Sequence, residues 1–223
     1  MDTELNAVVY KFNAINYTEE FKRVLRGVYA CYSFMLRDDV SVPSNNENEI
    51  RNILLCDYLN DDAIRNKTDL IWYSFNKEVP EEDGRVDIKV EIRNPFVSTK
   101  AYYIIECKRL NNKNTTGTSG LNAEYINNGM YRFVSRTYPT NCRVNAMIGF
   151  VVEQMDIHLN IQNINVLLKN PKIRNCNTTQ EIQSATFIPN FKFHYSSIHD
   201  DCENNSFTLY HLMFDFSENI KLC

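Results

Sequence analysis

Residues 101–107 read A-Y-Y-I-I-E-C. A run of β-formers that is apolar on both alternating faces belongs in the interior of a sheet, with layers packed above and below it. In a chain of 223 residues, that requirement points to a single α/β domain. The same run then carries Glu106 and Lys108 on either side of Cys107. Residues two apart on a strand project from one face, so the two charges share a side and the cysteine takes the other. Charges in a core strand are costly unless they are paired or hold something.

The surrounding pattern supplies the layers. Phe21, Val24, Leu25, Val28, Tyr29, Tyr32 and Met35 recur at helical spacing, which predicts a helix over 18–36 capped by Thr18. A second helix is expected over 45–60, with Ile50, Ile53, Leu54 and Tyr58 on one face. Strands are expected at 71–75 and 85–92, separated by a turn at 80–84. The second alternates Val86, Ile88, Val90 and Ile92 against Asp87, Lys89 and Glu91. A break at Asn94-Pro95 precedes the central strand. Residues 111–120, N-N-K-N-T-T-G-T-S-G, have turn composition and should form a mobile loop. A helix at 121–136, a strand at 146–152, a helix at 154–169 and β-rich segments at 185–195 and 206–216 complete the order.

Composition narrows the function classes. The seven cysteines are odd in number, scattered and never in a C-x-x-C pair, so reduced thiols in a cytoplasmic protein are expected rather than a disulfide framework or zinc ribbon. The N-terminus lacks a basic and then apolar leader, and no apolar run approaches the ~18 residues of a membrane span. Net charge is −4, which gives no global affinity for polyanions. Residues 111–145 are nonetheless locally basic, with Lys113, Arg132, Arg136 and Arg143 against Glu124, which permits a nucleic-acid face. The four histidines form no H-x-x-x-H pair and are expected in ordinary core or surface roles.

If the strand bearing Asp87 pairs with the central strand, Asp87 meets Glu106 and Lys108 near the strand ends. Two neighbouring carboxylates repel each other, and one lysine neutralises only one of them. A hard divalent cation resolves this, because Mg²⁺ binds through one or two carboxylates together with waters and substrate phosphate. Asp87 and Glu106 would supply carboxylates, the Cys107 carbonyl a third oxygen, and Lys108 would hold a water.

V-D-I at 86–88 followed by E-C-K at 106–108 resembles the D…(D/E)-x-K core of the PD-(D/E)XK nucleases, the restriction-endonuclease-like superfamily. Val86 stands where the family's name has Pro. The resemblance covers about half of the chain. It implies an αβββαβ core over 44–152, a mixed sheet flanked by helices. A helical lead-in at 1–43 would precede this core, and a helix with extra C-terminal strands at 153–223 would follow it, all within one nuclease domain.

The resemblance implies that Asp87, Glu106 and the Cys107 backbone carbonyl hold Mg²⁺, with Mn²⁺ as a substitute, while Lys108 orients the attacking water. E-N-E-I-R at 47–51 is similar to the E-x-x-hydrophobic-R pattern of the family's leading helix, which makes Glu47 a fourth catalytic acid. Ser44-x-x-Glu47 also reads as a capping box, and Asn46-x-x-Glu49 offers the same device. Helical geometry puts Glu47 nearer the core-facing side, with Glu49 as the alternative. E-Y-I-N-N-G-M-Y-R-F at 124–133 resembles the helix after the core in several restriction and defence nucleases, which implies nucleic-acid contacts for Tyr125 and Arg132. Lys113 is the third candidate for such contact.

The function implied is Mg²⁺-dependent hydrolysis of phosphodiester bonds, with DNA as substrate, in a restriction or antiphage-defence system. A homodimer or a larger complex would supply targeting. The alternative is a non-catalytic DNA-binding or assembly subunit that keeps the fold.

Overall fold

Burial on two faces is what the apolar strands require, and the fold provides it. The computed structural model describes residues 7–81, 84–92, 101–139 and 141–221. The expected Asn94-Pro95 break, Glu82 and Asp83 of the expected turn, and Cys223 lie outside them. Seven strands form one sheet: β1 (Tyr73–Glu81), β2 (Gly84–Ile92), β3 (Tyr102–Leu110), β4 (Val144–Val151), β5 (Thr178–Ser184), β6 (His194–Asp200) and β7 (Ser206–Asp215). Their spatial order is β1-β2-β3-β4-β7-β6-β5. The pairs β3–β4 and β4–β7 are parallel and the outer pairs antiparallel, so the sheet is mixed. The strands of the C-terminal stretch extend the same sheet as β1–β4.

Alternation along the inner strands feeds two apolar clusters. Tyr103, Ile105 and Cys107 of β3, Ile148 and Phe150 of β4, and Leu212 and Phe214 of β7 meet α1 (Ala7–Arg37) and α2 (Glu47–Asn52). Phe21 stacks on Tyr103 with centroids 4.4 Å apart, and Tyr32 stacks on Phe214 at 4.2 Å. Such pairs add about 0.5–1.5 kcal/mol each beyond the area they bury. On the other face, Ile104, Met147, Leu209 and Met213 meet α4 (Leu121–Tyr125), α5 (Tyr131–Val134) and α6 (Ile157–Leu168). The short α3 (Asp62–Lys67) is capped by Asp61 and links α2 to β1.

The two helices that pack against β3, α2 and α4, both change pitch. α2 runs into a π-helical stretch, Ile53–Leu59, and α4 reaches α5 through another, Ile126–Met130. The wider i→i+5 turn moves every later side chain around the helix.

Several expectations shift. α1 begins well before Thr18, which therefore lies inside the helix and does not cap it. β1 starts at Tyr73, two residues later than expected, because Ile71 and Trp72 sit exposed in the turn after α3. β5 was not expected, since T-T-Q-E-I-Q-S at the sheet edge buries only Ile182. The segment expected as strand 185–195 is mostly an apolar loop broken by Pro189. Its Phe191 stacks on Tyr29 at 4.4 Å, and β6 begins only at His194. The 111–120 loop is tied down rather than loose. Asn122 Nδ2 donates to the Thr115 carbonyl at 2.8 Å, and Asn163 Nδ2 donates to Thr115 Oγ1 at 3.1 Å.

Candidate active site

The ladder between β2 and β3 runs from Glu91↔Tyr102 to Ile88↔Ile105 and stops there. Beyond Ile105, β3 pairs only with β4. The β2-facing backbone groups of residues 107–109 are thus left without a strand partner, and buried backbone polar groups need one. Side chains supply it. Asp87 Oδ2 accepts the Cys107 N–H at 2.9 Å, and Glu47 Oε2 accepts the Arg109 N–H at 2.6 Å. Lys108 Nζ donates to the Cys107 carbonyl at 2.9 Å.

The predicted quartet is brought together at this splay. Lys108 Nζ lies 2.6 Å from Glu106 Oε1 and 3.3 Å from Glu47 Oε1. Counting the Cys107 carbonyl, three oxygens converge on one ammonium, and two of them are carboxylate oxygens. Gly129 of the π-helical stretch makes room for Met147 behind the lysine, since a Cβ there would lie 2.4 Å from the Met147 methyl.

The two candidate helix acids separate cleanly. Asn46 is the N-cap of α2, its Oδ1 accepting from the Glu49 N–H at 3.2 Å. Glu49 then pairs with Lys221 at 2.7 Å, away from the cluster. The Ser44–Glu47 capping box does not form, and Glu47 turns to β3 instead.

Five further residues complete the cluster. Arg51, only 2% exposed, donates to Asp87 Oδ1 at 2.5 Å and to Glu78 Oε1 at 2.7 Å. Glu78 has φ 51°, a left-handed conformation uncommon for a non-glycine residue. The β1–β2 ladder skips its pairing opposite Asp87, and the skip coincides with the turn of Glu78 onto Arg51. Arg85 pairs with the second Glu78 oxygen at 3.3 Å. Tyr138 approaches Glu106 Oε2 at 2.9 Å, and its hydroxyl oxygen accepts from Arg132. Arg132 also meets Glu106 Oε1 at 3.1 Å. Arg51 closes the E-N-E-I-R stretch and falls beside the buried Ile50, which is the one sequence signal that pointed to it. Tyr138 offers no such signal.

Electrostatics follow from burial. Glu106 has no exposed surface, and its pKa is pushed up to about 8. Loss of water is the main cause and the neighbouring Asp87 charge the next, while Lys108 and Arg132 pull the other way. Burial alone would lower the Lys108 pKa, but Glu106, Glu47 and Asp87 outweigh it and the amine is held above its ordinary value. Lys108 is therefore a hydrogen-bond donor at neutral pH and not a base.

These groups line a polar cavity of about 260 Å³. Its walls carry four carboxylates (Glu47, Glu78, Asp87, Glu106) and four cations (Arg51, Arg85, Lys108, Arg132). The oxygens converging on Lys108 are the donor type that a hard cation takes. Each carboxylate oxygen of Asp87 and Glu106 already has a protein donor. Among the described residues no group of three His, Cys, Asp or Glu side chains stands ready to hold a metal ion.

Two candidates for nucleic-acid contact fall elsewhere. Tyr125 is fully buried, its hydroxyl 2.8 Å from His211 Nδ1, so it cannot meet nucleic acid. Tyr125 and Arg132 would share a face of a regular helix, seven residues apart. The intervening π turn instead sends Tyr125 into the core and Arg132 to the cavity. Lys113 pairs with Glu153 at 2.8 Å and does not line the cavity.

Two of the four histidines are joined through one serine in the core. His199 and His211 are buried and share Ser197 Oγ, at 2.7 and 2.8 Å. The six described cysteines are free thiols, and Cys107 packs in the core. Among the described residues no helix is long and apolar enough to cross a membrane.

No protein-family model, no curated protein and no solved structure matches this chain.

Proposed function

We propose that this chain is a Mg²⁺-dependent nuclease that hydrolyses phosphodiester bonds of DNA, built on a restriction-endonuclease-like core. The observation that carries the reading is the convergence of Glu106 Oε1, the Cys107 carbonyl and Glu47 Oε1 on Lys108 Nζ, within 3.3 Å, in a polar cavity beside Asp87. An ammonium there stands in for a cation and samples the oxygen donors that a metal would use. The order α2, β1 to β3, α4–α5, β4, with β3 parallel to β4, supports the core assignment.

Asp87, Glu106 and the Cys107 carbonyl would hold the metal. Bound Mg²⁺ would lower the pKa of a coordinated water and offset charge on the reacting phosphate. Lys108, charged and anchored by Glu106 and Glu47, would orient the attacking water by donating to it. Arg132, at the rim, would bind a phosphate oxygen. The cavity is small, about 260 Å³, so targeting would fall to a second copy of the chain or to another subunit of a restriction or defence system.

One observation favours a second reading. Asp87 and Glu106 already accept from Arg51, Cys107, Lys108, Arg132 and Tyr138, which is what a purely structural cluster in a non-catalytic DNA-binding or assembly subunit would do. Incubation with plasmid DNA separates the two. The nuclease reading requires cleavage in Mg²⁺ that EDTA and Lys108→Ala both abolish. Cleavage that survives either would sink it. DNA retention without cleavage in any condition selects the second reading.

A further inference from the structure

The two oxygens of Glu106 are held differently. Oε2 faces the buried Tyr138 hydroxyl, whereas Oε1 carries both Lys108 and Arg132. Arg132 is 37% exposed and its carboxylate partner not at all, so the guanidinium stands between Glu106 and solvent. A metal ion approaching Oε1 therefore meets a protein cation first.

Four acidic and four basic side chains line the cavity. A divalent cation that enters alone adds two positive charges there, and a phosphodiester bound beside it takes one away. A partly buried cavity therefore favours joint loading over the metal alone.

We propose that Arg132 gates the metal site, so that a divalent cation and a phosphodiester bind cooperatively. Arg132 passes from Glu106 to the phosphate as the cation takes its place on Oε1. The inference rests on the nuclease reading of this cavity for the cation and the phosphodiester, and not for the cleavage step. A planar guanidinium fits a phosphate as well as a carboxylate, so the exchange keeps its hydrogen bonds satisfied. Tyr138 keeps Oε2 fixed throughout, and only Oε1 changes partners. Linkage requires the effect to be reciprocal, with DNA tightening metal binding by the same factor as metal tightens DNA binding.

The test measures free Mn²⁺ by electron paramagnetic resonance on the full chain. The probe is a short DNA duplex with cleavage-resistant phosphorothioate linkages, whose own Mn²⁺ uptake is subtracted. The duplex should tighten Mn²⁺ binding on the order of tenfold in the wild type. Arg132→Gln should bind Mn²⁺ about that tightly without DNA and gain little from it. Arg132→Lys, which keeps the charge and loses the fork, should stay at the wild-type affinity without DNA and show a smaller gain. Equal Mn²⁺ affinity of the wild type and Arg132→Gln without DNA overturns the gate. If Mg²⁺-dependent cleavage persists alongside that result, the nuclease reading stands without it. The expected Mn²⁺ pattern with no cleavage keeps the gate and removes the nuclease reading. No Mn²⁺ binding by any of the three proteins removes both.

Discussion

Asp87 closes the end of the β2–β3 ladder with its side chain, accepting the Cys107 N–H at 2.9 Å on one oxygen while the other takes the buried Arg51 guanidinium. One carboxylate thus joins a splayed strand to the helix packed over it. Asp87→Ala leaves Arg51 buried beside an orphaned N–H and should cost about 3 kcal/mol or more. Asp87→Asn keeps an acceptor and should cost distinctly less. Urea denaturation of the two variants checks the order, and equal losses would mean that the Cys107 bond contributes nothing.

Glu106 should make stability fall as pH rises through neutrality. Its folded pKa, about 8, lies above the ordinary 4.5, so the folded state binds the extra proton between those values. The contribution is fully present below about 4.5 and is lost as pH rises through about 8. Glu106→Gln should remove this slope between pH 5 and 8. Melting temperatures across that window, in matched ionic strength, decide it.

The buried histidines should be neutral and locked in opposite tautomers. The Cys176 carbonyl can only accept, so His199 donates to it from Nδ1 at 2.9 Å and must accept from Ser197 at Nε2. Ser197 Oγ in turn accepts from His211 Nε2, which leaves His211 Nδ1 to accept from Tyr125. Burial lowers both pKa values, that of His199 to about 4. Their contribution is present above the ordinary 6.5 and is lost as pH falls through the folded values. Long-range ¹H–¹⁵N spectra at pH 7 should show His199 as the Nδ1–H form and His211 as the Nε2–H form. Identical tautomers would break the chain of donors.

Tyr125→Phe should leave DNA affinity unchanged while costing about 1 kcal/mol, the value of one buried hydrogen bond. Arg132→Gln should weaken DNA binding with little change in stability, since its ion pair is partly exposed. Filter binding and denaturation on both variants give the comparison. A weaker DNA affinity in Tyr125→Phe would put that residue back at the interface.

The sequence by itself determined most of the central elements and the faces that Glu106, Cys107 and Lys108 take on β3. Period-two alternation put Glu106 and Lys108 on one side of a strand buried on both faces, with Cys107 in the core. Helical spacing favoured Glu47 over Glu49 as the inward acid. These are short-range regularities, fixed by backbone geometry over a few residues. Only the tertiary structure decided the rest. Arg51 reaches Asp87 across 36 positions and Tyr138 reaches Glu106 across 32, and no local period records such a pairing. The π turn at Ile126–Met130 looks like ordinary helix in sequence, yet it sent Tyr125 inward and Arg132 to the cavity. The polar edge strand β5 carries almost no apolar signal, because its order comes from pairing with β6 rather than from burial of its own side chains. The charges in E-C-K were legible as a demand for partners. Which partners answer it depended on where β2 parts from β3.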